Sequence, residues 1–121
     1  MSDRFYHIVG DAKTKDHEAY MLQCRDSFTN LIADAMSEAR RAMVKYPQPN
    51  YVISKFAEES GEVVKAAIHC AESRESADNV RDEMKQAIAM LYRLWVEGDA
   101  VHGLPALRPT KADLAKDEDH G

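Results

Sequence analysis

Apolar residues recur every three or four positions along most of this chain, and that spacing predicts helices. From about Asp16 to Lys45 the repeat runs through Cys24, Phe28, Leu31, Ile32, Ala35, Met36, Ala39 and Met43, which trace one face. Asp16 stands where an N-cap is expected. Pro47 and Pro49 end the pattern, because proline lacks the amide donor and disfavours α geometry in the residue before it. A second helix is expected from near Asn50, a good cap residue, to about Ala71. Its apolar side is Ile53, Phe56, Val63, Val64, Ala67 and Ile68. Residues 72–76 read as a polar turn. A third helix runs from about Ala77 to Glu97 with Val80, Met84, Ala87, Ile88, Leu91, Leu94 and Trp95 on its face, and Gly98 is a natural stop.

The ends carry weaker signals. Phe5, Tyr6, Ile8 and Val9 suggest a short extended segment within an N-terminal arm, residues 1–15, that packs on the body or on a neighbouring subunit. After Asp99 the pattern is broken by Gly103, Pro105 and Pro109; Thr110 can cap one short turn through Leu114, and the last residues fray. The chain therefore reads as an arm (1–15), a helical domain (16–98) and a partly flexible tail (99–121). The expected fold is all-α, an antiparallel helical bundle. Three helices with broad apolar faces leave surface that a homodimer or homotetramer would cover.

Composition narrows the partners. The formal charge is -5 and no Lys/Arg-rich stretch stands out, which argues against nucleic acid. No apolar run approaches the ~20 residues of a membrane span, and no apolar stretch follows the first residues as in a signal peptide. A cytoplasmic protein is expected. Cys24 and Cys70 lie far apart inside helical patterns and read as reduced, buried small hydrophobes.

The chemistry concentrates in the second helix. Glu58, Glu59 and Glu62 fall within five residues, so Glu62 lies one turn beyond both others. Like charges at this spacing destabilise a helix by about 0.2–0.5 kcal/mol per pair. Gly61 costs about 1 kcal/mol more relative to alanine. A sequence selected for helix stability alone has little use for this combination. A divalent cation reverses the sign: magnesium prefers oxygen ligands and takes a few carboxylates, waters and substrate phosphates. Gly61 would then let a neighbouring helix or a substrate approach. The triplet alone is also what a solvated face beside Lys55 and Lys65 looks like. On the third helix, Asp82 and Glu83 open the second turn and Gln86 follows three residues after Glu83. A helical hairpin permits acids from both helices to converge.

The run Lys55-Phe56-Ala57-Glu58-Glu59-Ser60-Gly61-Glu62-Val63-Val64 and the later Glu83-Met84-Lys85-Gln86 resemble the all-α nucleoside triphosphate pyrophosphohydrolases of the MazG-like type, over roughly residues 45–98. The signature there is Glu-Glu-x-x-Glu, a gap, then Glu-x-x-Asp. The chain is most similar to short MazG-like proteins of phages and bacteria. The resemblance implies magnesium, with manganese as a substitute, held against a (deoxy)nucleoside triphosphate that water attacks at the α-phosphorus, giving monophosphate and pyrophosphate. It assigns Glu59, Glu62 and Glu83 as metal ligands. Glu58 would hold a second ion or orient the water. Gln86 stands where the family has Asp: it can offer a carbonyl oxygen, but it removes one charge and cannot act as a base. The site would work with a neutral ligand, use a different acid, or be impaired. In the last case the chain is a helical module that binds nucleotide or a partner protein without turnover.

Around this core, Lys55 is a candidate for phosphate charge, and Asn50 and Tyr51 are candidates for contact with substrate; for Lys55 helix support and for Asn50 a cap are the alternatives. Tyr92 and Trp95 are expected in packing or as a wall for the base. His69 reads as a surface or interface residue. No Glu-x-x-His pair marks a di-iron site on the helices, and no local motif supports a Ser-His-Asp or Cys-His nucleophile.

Overall fold

The computed structural model describes residues 11–120, with side chains from residue 14 to residue 116. Four helices follow in order: α1 (Asp11–Lys45), α2 (Val52–Ala71), α3 (Ala77–Glu97) and α4 (Lys111–His120). Among the described residues there is no strand; one isolated antiparallel bridge joins Asp99 and Leu104. The all-α expectation holds. No helix among the described residues is long and apolar enough to cross a membrane. The expected extended segment at Phe5–Val9 lies outside the described residues.

The chain divides after Ala33 into two compact units. In the first, α1 begins by Asp11 rather than at Asp16, so Asp16 is an interior residue and not a cap. Residues 11–15 contain no Gly or Pro, and Ala and Lys extend a helix at little cost. Cys24 is exposed, against the expectation of burial, as are Tyr20, Met21, Leu22 and Phe28. Among the described residues of this unit, the expected apolar face has no neighbouring element.

The second unit, from Asp34 onward, holds the core. Ala35 and Ala39 of α1 pack on Ala89 of α3, with Met43, Ile88 and Tyr92 around them. Small residues at a crossing let two helix backbones approach closely. The helices α2 and α3 pack along each other as a hairpin. The turn between them ends at Ser76, whose Oγ accepts the Asn79 amide at 3.1 Å, an N-cap bond. Gly98 ends α3 at φ +69°; a Cβ there would lie 2.2 Å from the Leu104 carbonyl oxygen, so only glycine fits.

Two expectations at helix starts are corrected. Asn50 does not cap α2. The position before the helix is Tyr51, which makes no side-chain cap bond. Instead the Ile53 amide donates to Asp99 Oδ2 at 2.9 Å, so the cap comes from across the unit. Thr110 does cap, but it opens the ten-residue α4 rather than a single turn. Thr110 Oγ1 accepts from the Asp113 amide and Asp113 Oδ2 from the Thr110 amide, a reciprocal capping box.

The connections are fastened by polar groups. The Arg93 guanidinium, buried, donates to Glu97 at 2.8 Å and to the Tyr46 carbonyl. Gln48 donates to Glu97 at 3.0 Å and accepts from the amides of Asn50 and Ala100. These bonds hold the 46–50 connection against the end of α3 and fix where α2 begins.

Candidate carboxylate and cation cleft

The fastening of α2 to α3 opens a cleft of about 290 Å³ between them and the last turns of α1. Its lining includes Tyr46, Asn50, Lys55, Glu59, Gln86 and Arg93. Four residues singled out from the sequence, Asn50, Lys55, Glu59 and Gln86, thus share one concavity. A second cleft of about 390 Å³ lies beside it, lined by Glu38, Arg41, Lys45, Tyr46, Gln86 and apolar neighbours. Gln86, Tyr46, Ala42 and Met90 belong to both.

Glu59 is the electrostatic focus. It is half-buried, and its carboxyl is held above the ordinary carboxylate range. Partial desolvation is the main cause. The negative charge of Glu83, on the opposite helix of the hairpin, adds to it, then that of Glu58; Lys55 pulls the other way, and Glu62 adds a last small push. Glu83, Glu58 and Glu62 therefore each act on Glu59 through space. They do not all point into the cleft. Glu58 and Glu62 are exposed on α2 and Glu83 is half-buried on α3. Among the described residues no three acidic, imidazole or thiol side chains converge closely enough to grip a metal as they stand.

The donor set nonetheless has the chemistry a hard divalent cation requires: carboxylate oxygens, mutually repelling, one of them already desolvated. Placing a cation there would lower the free energy of Glu59 in its charged form, which the fold otherwise penalises.

Gln86 is engaged. Its Nε2 donates to Glu38 Oε2 at 2.8 Å, while Glu38 Oε1 pairs with Lys85 Nζ at 3.2 Å. The amide nitrogen is thereby turned to α1, leaving the carbonyl oxygen as the free end of the side chain. Glu38 was not singled out from the sequence. The available signal was its spacing to Arg41 and Lys45, which puts the three on one side of the helix; the relation to Gln86 is tertiary.

Other candidates fall elsewhere. Tyr51 lines neither cleft; its ring meets His102 edge-on, centroids 6.4 Å apart. Gly61 has nothing within 4 Å of a built Cβ, so the expected close approach does not occur among the described residues. Trp95 is about half exposed and Tyr92 packs against the alanine core, so neither lines the clefts.

No protein-family model, no curated protein and no solved structure matches the chain.

Proposed function

We propose that the chain is a magnesium-dependent pyrophosphohydrolase of (deoxy)nucleoside triphosphates, of the MazG-like type. The observation that carries this reading is Glu59: a half-buried carboxylate under pressure from Glu83, Glu58 and Glu62, in a cleft with Lys55 and Gln86. Glu59, Glu62 and Glu83 would hold magnesium, or manganese in its place, with the Gln86 carbonyl oxygen as a neutral fourth ligand. Bound there, the ion would neutralise phosphate charge and lower the pKa of a water.

The chain's own groups would do the rest. Lys55 places a positive charge in the cleft beside Glu59 and draws the phosphates to it. Glu58 accepts a hydrogen bond from the attacking water and aims its oxygen at the α-phosphorus. The new bond would be water oxygen to α-phosphorus; the bonds broken would be that from the α-phosphorus to the bridging oxygen and one O–H of the water, whose proton would pass by way of Glu58 to solvent. Monophosphate and pyrophosphate leave. Phosphoryl transfer asks mainly for positioning and charge, which such a cleft supplies. Asn50, at the cleft wall, would contact the nucleoside; Tyr51 would do so only after leaving His102.

The same reading takes the α2–α3 hairpin as part of an antiparallel bundle completed by a homodimer or homotetramer. Val64, Ile68, Leu91 and Trp95 are each about half exposed, an apolar surface that a second copy would cover. The reaction belongs in the cytoplasm, with a small-molecule substrate and neither nucleic acid nor membrane as partner.

One observation favours a second reading. Gln86 is tied to Glu38 and, among the described residues, no three acids converge, as in a helical module that binds nucleotide or a partner without turnover. A single assay separates them. With magnesium and a panel of (d)NTPs, ³¹P spectra should show monophosphate and pyrophosphate. Diphosphate and phosphate instead would sink attack at the α-phosphorus, and no product from any nucleotide, with helical circular dichroism intact, would favour the module.

A further inference from the structure

We propose that Arg41 and Lys45 form a subsite for the outer phosphates of the substrate and for the departing pyrophosphate; this rests on the reading of the chain as a triphosphate hydrolase. The two side chains sit one turn apart on α1 and line the second cleft, which meets the cleft of Glu59 at Gln86. Each cleft carries one carboxylate and two cations, Glu59 with Lys55 and Arg93 in the first and Glu38 with Arg41 and Lys45 in the second.

The case rests on which cations are already satisfied. Every other arginine among the described residues has a partner. Arg25 pairs with Asp26, Arg74 with Glu72, Arg81 with Asp78 and Arg93 with Glu97. Arg40 donates to Ser37 Oγ and Arg108 to the Val96 carbonyl. Arg41 has no hydrogen bond or ion pair among the described residues. Lys45 pairs with no acid there either; its ammonium lies 5.4 Å from the centre of the Tyr46 ring. Two like charges one turn apart repel, as the acids of α2 do. A polyanion would relieve both.

Glu38 also lines this cleft and would repel phosphate if it were free. It is not: one oxygen accepts from Gln86 and the other is paired with Lys85. Its charge is spent on α3, so the cationic face is left to Arg41 and Lys45. A guanidinium suits this task because its planar donors match phosphate oxygens in pairs. Substrate would then lie with its α-phosphorus by Glu59 and its tail along α1.

Inorganic pyrophosphate with magnesium is the probe. It should bind the wild-type chain saturably by calorimetry, and Arg41→Ala with Lys45→Ala should weaken it by about tenfold or more. Arg41→Lys should recover part of the loss, and Lys65→Ala, off both clefts, should change nothing. In turnover, the double variant should raise KM and relieve inhibition by pyrophosphate, while inhibition by the monophosphate stays unchanged. Pyrophosphate binding equal in wild type and double variant, with circular dichroism intact, overturns the subsite, as does failure of the wild type to bind it. The parent reading fails separately: a chain that binds pyrophosphate through Arg41 and Lys45 but hydrolyses no triphosphate keeps the subsite and loses the activity.

Discussion

Two carboxylates of this chain, Glu59 and Asp99, are withdrawn from water, and they answer in opposite directions. Asp99 is fully buried, at 0% exposure, yet its carboxyl is held below the usual range. The Ile53 amide is the main cause, joined by the His102 amide and ring and opposed by burial itself. Glu59 is only half-buried, yet it is pushed up, first by partial desolvation and then by neighbours that are mostly acids, where Asp99 has donors. Burial alone does not decide the sign; the partners do. Asp99 is a structural fastening whose bonds are complete. Glu59 is a charge that Lys55 offsets only in part, and a site for a cation is the reading that gives that arrangement a use.

The contrast is broken most forcefully by removing acids. Glu62→Gln should lower turnover by at least roughly 100-fold, the scale of losses at metal sites, while the melting temperature holds or rises because repulsion is relieved. Wild-type rates in that variant would remove Glu62 from the site. Asp99→Ala should do the reverse. It strands the Ile53 amide and the His102 donors, so thermal melting should fall by several degrees; an unchanged melt would mean Asp99 is dispensable to the fold.

Acid sharpens the same comparison. A depressed carboxyl contributes stability above its unfolded value, 3.8 for Asp99, and that stability is lost as pH falls through the lower folded value. A raised carboxyl works the other way. The penalty on Glu59 is fully present at neutral pH and fades as pH falls through its raised folded value toward 4.5. Melts of Glu59→Gln against wild type should therefore show a stabilised variant at neutral pH and a vanishing difference near pH 4.5 and below. A difference independent of pH would mean the Glu59 charge carries no penalty.

Smaller effects are expected at the edges of the site. Gln86→Asp should tighten magnesium several-fold but lower the melt of the metal-free chain, since a carboxylate would then face Glu38 without a proton between them. An unchanged magnesium titration would put residue 86 outside the ligand set. Gly61→Ala should add about 1 kcal/mol of stability, because the built Cβ meets nothing. Loss of activity in a stable Gly61→Ala chain would mean that a second copy or the substrate approaches there.

Much of the fold was legible along the chain. The hairpin's bounds follow from local chemistry: Ser76 caps α3 and Gly98 ends it, and both act on neighbours in sequence. The start of α2 near Asn50 was legible to within two residues, but its capping group was not, because that is Asp99, 46 positions from Ile53. Periodicity marked Val64, Ile68, Leu91 and Trp95 as a face to be buried, and it identifies such faces without saying what covers them; within one chain they stay half exposed. At the site, the acids of α2 and Glu83 were visible as motif and spacing. Glu38, Arg41 and Lys45 were not, since their relation to Gln86 arises only when Ala35 and Ala39 bring α1 onto Ala89.

The most direct test of the account is a titration of Mn²⁺ into the metal-free chain, read by the loss of the free-ion electron paramagnetic resonance signal, in wild type and in Glu59→Gln. A shared carboxylate site predicts saturable binding in the wild type and binding weaker by about tenfold or more in the variant. Identical isotherms for the two chains would contradict it.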